Sequence, residues 1–340
     1  MAVLDPTSPT EQSISSMPYR EPLPSDDHVF PLTWYAVMQA KALTTKPIKR
    51  TLLGKDVVLY RDHKGHVRCL EAYCSHRGAD LSLGKCVDDQ IHCVYHGWAF
   101  DQDGQCRSIP AHPDRPIPDF AHIVAYPTQE RVGLIWIYPE DKRLASPPDL
   151  EVFPELEDAN FTLSFYEAKW QAHLTRVVES VLDIAHLAFV HKKTIGRRLQ
   201  PEIKQVRFSV PTSDRIIIEN GGGLLDYVFP GQWILKAATG KSAFINYVTF
   251  TPISSHETLI FGYAGRSFLR KMPLMNWLFS KQSSKILEED RLVVESQHPR
   301  PIPQALQMEA HVPADGPQVR FRQRWYQFLA FEEKRIMTKE

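Results

Sequence analysis

Two short stretches, CSHRG at residues 74–78 and CVYHGW at 93–98, constrain this chain more than anything else in it. Each supplies one cysteine and one histidine, spaced C-x-H and C-x-x-H with sixteen residues between the pairs, and each carries a glycine beside its histidine. Cys74, His76, Cys93 and His96 thus offer two thiolates and two imidazoles from two loops. Tetrahedral zinc can take such a set, although zinc fingers usually pair two cysteines on one knuckle and two histidines on a helix. One ligand of each kind per loop suits a [2Fe–2S] cluster, with both cysteines on one iron and both histidines on the other. Gly78 and Gly97 allow the tight turns that bring backbone amides towards the cluster sulfurs. The remaining cysteines, Cys69, Cys86 and Cys106, read as small buried hydrophobes.

The chain around these loops divides by its periodicity. Residues 30–140 read as an all-β domain: TWYAVMQA, TLLGKDVVLYRD, HVRCLEAYC, QIHCVYHGWAFD and GLIWIYP are short alternating or branched runs. Turn signals at Lys64–Gly65 and Asp103–Gly104 separate them. A polar, proline-rich linker is expected over 141–158. An α+β domain over 159–337 follows, in which residues 170–193 have apolar positions at helical spacing and no Pro or Gly. Strand-like runs come next (DRIIIEN, LLDYVFP, SAFINYVTFTP, ETLIFGYAG), then helices at about 283–298 and 317–336. Residues 1–29, rich in Pro, Ser and Thr, read as a mobile tail with no signal sequence.

Composition removes several classes of function. Forty basic and forty acidic residues balance with no like-charged block, which argues against nucleic acid as a partner. No run reaches the roughly 18 apolar residues of a membrane span. An odd count of five cysteines in 340 residues does not make a disulfide scaffold, and the expected location is the cytoplasm. There is no G-x-G-x-x-G fingerprint for a flavin or dinucleotide, so a reductant has to come from another protein.

A second constellation lies in ESVLDIAHLAFVH, where Asp183, His186 and His191 follow one another closely. Two imidazoles and a carboxylate can form the facial triad of a non-haem Fe(II) site with open positions. On an ideal helix, however, His186 and His191 point roughly 140° apart, so both can face one metal only if the helix is distorted or ends between them. Taken alone, the trio reads equally as two satisfied histidines on an amphipathic helix.

The motifs C-x-H-R-G…C-x-Y-H-G-W and D-x-x-H-x-x-x-x-H together resemble the Rieske non-haem iron oxygenases. The resemblance covers about residues 30–335, and length and the RFRQRWYQFL end are similar to the single-subunit monooxygenase branch; the chlorophyll-breakdown oxygenases of plastids are also similar. It implies a Rieske [2Fe–2S] domain followed by a helix-grip-like catalytic domain with an antiparallel sheet. It implies His186, His191 and Asp290 as ligands of a mononuclear iron, Asp290 matching the late-helix ligand position in EEDRLVVESQ. Its neighbours Glu288, Glu289 and Glu295 are expected on a solvated helix face. Asp183 would bridge His96 of the partner subunit to its own His186 in a homotrimer, passing electrons between the metal centres. The family's usual asparagine ahead of that aspartate is absent, with Glu179 or Ser180 in its place.

The activity so implied is that of a terminal oxygenase using O₂ as co-substrate and electrons from a reductase or ferredoxin. It would hydroxylate, demethylate or desaturate a hydrophobic, ring-containing molecule, with a dioxygenase reaction as the variant. Leu187, Phe189, Tyr227, Trp233, Tyr247 and Phe261 are among the candidates for an apolar pocket, although each also reads as ordinary core. The competing function is a Rieske redox carrier or sensor without oxygenase activity.

Overall fold

The computed structural model describes residues 28–337, apart from 145, 221–222 and 240–241; most of the expected tail over 1–29 lies outside the described residues. Two compact units emerge. Among the described residues, one spans 32–157 with 251–254, and the other spans 158–250 and 255–337 together with 28–31.

The first unit is all β, with three small sheets. Strand Lys55–Arg61 shows how its sequence divides the interior. Four consecutive residues, Val57 to Tyr60, are buried, and their period-2 alternation sends Val57 and Leu59 into one core and Val58 and Tyr60 into another. Its neighbour Val67–Glu71 does the same with Cys69 and Leu70. The expected turns form around aspartates: Asp62 accepts from the amides of Lys64 and His66, and Asp101 from those of Asp103 and Gln105. Residues 141–157, expected as a linker, group with this unit. Trp34 Nε1 donates to Pro148 O at 2.7 Å, and Arg131 pairs with both carboxylate oxygens of Glu157. Of the cysteines read as buried hydrophobes, Cys69 and Cys106 are buried and Cys86 is half-buried.

The second unit is built on a seven-stranded sheet. Phe208–Thr212, Arg215–Asn220, Gly223–Val228, Gln232–Thr239, Ser242–Pro252 and Thr258–Arg266 follow each other as a meander, and the last pairs with Thr162–Trp170. Four of these strands match the expected runs; Thr162–Trp170, Phe208–Thr212 and Gln232–Thr239 do not. Among the described residues four helices accompany the sheet: α1 (Leu174–Leu182), α2 (Leu187–Val190), α3 (Pro273–Val294) and α4 (Gly316–Met337). Helix α4 lays Phe321, Trp325 and Phe328 against the rings of Tyr227 and Phe229. In α1, Leu174, Val177, Val178 and Leu182 recur at helical spacing and are all buried in the same core.

Two expectations about helices need correction. The continuous helix over 170–193 does not form, because Trp170 ends a strand and Asp183 takes an extended conformation (φ −83°, ψ 126°) that stops α1. The helix expected from about 283 starts ten residues earlier, at Pro273, where a fixed φ and a missing N–H suit the first turn.

Candidate metal centres

The two Cys/His loops are conformational copies. In the first, Cys74 N–H donates to Ala79 O and Gly78 N–H to Cys74 O, at 2.9 and 2.8 Å. In the second, Cys93 N–H donates to Trp98 O and Gly97 N–H to Cys93 O, at 2.8 and 3.0 Å. Closing each turn requires φ of +68° at Gly78 and +72° at Gly97, where any side chain is strained. A Cβ on Gly97 would also come within 3.0 Å of the Pro110 ring.

The loops bring their four candidate ligands together asymmetrically. Cys74 and Cys93 are 3% and 4% exposed, whereas His76 is half-buried and His96 exposed. The two imidazoles lie 4.6 Å apart between ring centroids, and Trp98 stacks on His76 at 4.5 Å with the planes 3° apart. Burial, with Cys93 adjacent, pushes the Cys74 thiol up to about 11, so a thiolate here needs a cation beside it. A cluster iron would supply that charge, and a sulfur-buried, histidine-exposed arrangement would suit electron entry and exit at the imidazole edge.

In the second unit a helix ends between the two histidines, since α2 stops at Val190 and His191 takes a non-helical conformation (φ −95°, ψ 21°), and a separate stop at Asp183 precedes both. Asp183 Oδ1 accepts from the amides of Ala185 and His186 at 2.6 and 3.4 Å, which opens a new, short helix in a new direction. His186 then precedes α2 and His191 follows it. Nε2 of His186 lies 3.3 Å from Nε2 of His191 and 3.4 Å from Oδ1 of Asp290, and the third edge, His191 to Asp290, is 3.0 Å. Donors about 2.1 Å from a metal and at right angles to one another lie about 3.0 Å apart, so this triangle fits three positions on one octahedral face. No other residue of the types His, Cys, Asp or Glu joins this group among the described residues.

Electrostatics agree with a cation at that point. Burial opposes protonation of His186, but the carboxylates of Asp183 and Asp290 outweigh it and push its pKa up to about 9. His191 is raised in the same way against its burial, mainly by Asp290 and then Glu289. Asp290 is held low by the two histidines despite its burial.

The surroundings of the triad correct one expectation and refine others. Glu289, expected on a solvated face, accepts at 2.9 Å from Nδ1 of His191 and at 2.5 Å from Thr194 Oγ1. Glu295 is also engaged, accepting from the Gln171 amide, while Glu288 pairs with Arg291. Asp183 Oδ2 stands 3.7 Å from Nδ1 of His186, outside hydrogen-bonding distance, and that nitrogen has no hydrogen-bond partner among the described residues. Glu179 turns instead to Arg322 (2.5 and 3.0 Å) and Arg176 (3.2 Å), and both arginines also bind Glu309. Ser180 Oγ donates to Val177 O. A cavity of about 210 Å³ borders His186 and Asp290 and is walled by Asp183, Ser180 and this ion lattice. None of the apolar pocket candidates lines it; Tyr227, Tyr247 and Phe261 are fully buried core, and Phe189 is exposed.

Comparison with known proteins identifies both domains. Residues 33–127 match the Rieske [2Fe-2S] domain, and residues 170–220 and 225–330 match the vanillate O-demethylase oxygenase C-terminal domain. The chain is 29% identical over 296 residues to methylxanthine N1-demethylase NdmA of Pseudomonas putida, covering 82% of this chain and 78% of that one. It is 36% identical over 157 residues to the toluene-4-sulfonate monooxygenase system iron-sulfur subunit TsaM1 of Comamonas testosteroni. That match covers 46% of this chain and 45% of TsaM1, so the chain spans about half the length of that relative. The crystal structure of NdmA superposes with a TM-score of 0.76 at 24% identity, covering 86% of this chain and 88% of NdmA, which shows a shared fold.

Proposed function

Because this chain belongs to the Rieske non-haem iron oxygenases, we propose that it is the terminal oxygenase of a multicomponent system. It uses O₂ and electrons from a separate reductase or ferredoxin to hydroxylate, demethylate or desaturate a hydrophobic, ring-containing small molecule. The observation that carries this reading is the convergence of His186 Nε2, His191 Nε2 and Asp290 Oδ1 in a unit separate from the Cys/His loops. A pure electron carrier has no use for that triad. Ring substrates are supported by the relatives, whose names refer to toluene-4-sulfonate and methylxanthine. Five cysteines with no disulfide among them suit the cytoplasm.

With the groups bound, the cluster on Cys74, His76, Cys93 and His96 supplies single electrons, and Fe(II) on His186, His191 and Asp290 supplies O₂ activation. The protein's own contribution is positioning. Glu289 accepts the Nδ1 proton of His191, which leaves the Nε2 lone pair directed at the metal position. Asp183 is assigned the electron handover in a homotrimer, its carboxylate facing Nδ1 of His186 and accepting from His96 of the partner subunit. Its place beside His186 and its 31% side-chain exposure support this role.

The test is a single turnover. Protein with its cluster reduced and Fe(II) loaded is mixed with O₂ and a panel of ring compounds, and products are analysed against Asp290→Ala. Oxidised product from the wild type alone is expected; cluster oxidation without product across the panel would favour the carrier.

A further inference from the structure

Helix α3 does two things with its length. Its C-terminal half carries Glu289 and Asp290. Its N-terminal half is held to the sheet along one side: Asn276 accepts from Arg266, Phe279 packs on Phe244 and Phe268, and Ser280 donates to Phe165 O. The opposite side of this half presents Leu274, Trp277 and Leu278 at i, i+3 and i+4, with Leu274 62% and Trp277 56% exposed. The turn leading into the helix adds Leu269 and Met272, also exposed. Isolated apolar residues on a surface need no explanation, but five large ones within ten positions do.

Charge indicates what covers them. Residues 258–287 contain no Asp or Glu, whereas Arg270, Lys271, Lys281 and Lys285 are all exposed. Arg270 is tethered to Ala159 O and Lys285 stands near enough to Glu289 to help hold its pKa low, so Lys271 and Lys281 carry the free charge. Lys281 and Lys285 continue the Leu274–Trp277–Leu278 stripe, one and two turns on. Lys281 Nζ sits 4.8 Å above the Trp277 ring, so its stem lies along the apolar face with the ammonium at its edge. Leucine and tryptophan flanked by lysines, with no acid, is the pattern of a segment lying in the plane of a membrane interface. A water-facing helix would intersperse both signs, and a protein partner would impose no such exclusion of acids.

We propose that residues 269–285 dock this protein on the surface of an anionic lipid bilayer, with Leu274, Trp277 and Leu278 inserted at the headgroup boundary and Lys271 and Lys281 on the phosphates. This is peripheral attachment, since no helix among the described residues is long and apolar enough to cross a membrane. Trp277 and Asp290 lie thirteen residues apart on one helix, about 20 Å at 1.5 Å per residue, so the metal centre stands close to the lipid surface.

The full-length, iron-loaded protein is sedimented with vesicles of phosphatidylcholine alone and of phosphatidylcholine with phosphatidylserine. Retention on the phosphatidylserine vesicles only, released by added salt, is expected. Trp277→Ser with Leu278→Ser should weaken retention at least tenfold, and Lys271→Glu with Lys281→Glu should abolish it, with cluster absorbance and iron content unchanged. The wild-type lipid and salt comparison stands even if a variant misfolds. No retention, or equal retention on both vesicles, overturns the proposal. So does a change of oligomeric state in the variants without lipid, which would make this face a contact between copies of the chain.

Discussion

Glu289 and Asp290, adjacent on α3, hold the two nitrogens of one imidazole: Glu289 Oε2 lies 2.9 Å from Nδ1 of His191 and Asp290 Oδ1 lies 3.0 Å from its Nε2. The ring is held in place from both sides before any metal arrives. Glu289→Ala removes the Nδ1 acceptor and leaves every proposed ligand in place. Fe(II) affinity should fall about 10- to 100-fold, with the visible cluster spectrum untouched. Anaerobic Fe(II) titration of the two proteins checks this, and unchanged affinity would return Glu289 to a surface role.

The two centres should separate by mutation. The purified protein is expected to carry about three irons per chain, two in the cluster and one mononuclear. Ala at His186, His191 or Asp290 should remove the third iron and all substrate oxidation while keeping the cluster absorbance. Cys93→Ala or His96→Ala should bleach the cluster instead. Metal analysis with EPR of the reduced protein distinguishes the outcomes.

Asp183 has a structural role and a proposed one, which one substitution can part. Asp183→Asn keeps an oxygen for the Ala185 and His186 amides, so the turn into α2 survives. It removes the charge facing His186. Both metals should stay bound, the cluster should still be reduced by its donor, and transfer to the mononuclear iron should slow by orders of magnitude. Stopped-flow reoxidation of the reduced cluster with substrate and O₂ present measures that step; a near-normal rate would end the assignment.

The lattice of Arg176, Glu179, Arg322 and Glu309 predicts an acid limb in stability. Burial opposes ionisation of Glu309, but hydrogen bonds from Arg176 and Arg322 outweigh it and hold its pKa at about 2. A carboxylate lower in the folded than in the unfolded chain stabilises the fold above its ordinary value of 4.5, and that contribution is lost as pH falls towards 2. Urea midpoints should therefore drop across that window, and Glu309→Gln should flatten part of the drop. Arg322→Met, which leaves Glu179 and Glu309 short of a cation in a buried place, should cost about 3–5 kcal/mol at neutral pH.

The parts of this structure that were legible in the sequence are those set by short-range chemistry. Cys74 to Gly78 and Cys93 to Trp98 close turns on themselves, so spacing alone nearly defines the loops. Asp290 is 99 positions from His191, and no local pattern separates it from Glu289. Resemblance pointed to Asp290, but it left Glu289 on the surface, because which neighbour faces which nitrogen depends on how α3 is rotated against His191. The five-residue interval between the histidines demanded a helix end between them, which comes at Val190, whereas the earlier stop at Asp183 gave no sign of itself, since an aspartate is tolerated within a helix as well as at a cap. Strands Thr162–Trp170 and Gln232–Thr239 escaped notice because Glu167, Lys169 and Lys236 interrupt their apolar runs.

Helix α3 has one further consequence. From Leu274 to Val294 it contains neither glycine nor proline, and it runs as one helix throughout. A stiff rod transmits displacement from end to end. On the proposed docking, seating Trp277 at a lipid surface would bear on Asp290 at the far end of the same helix, coupling attachment to the geometry of the candidate iron site.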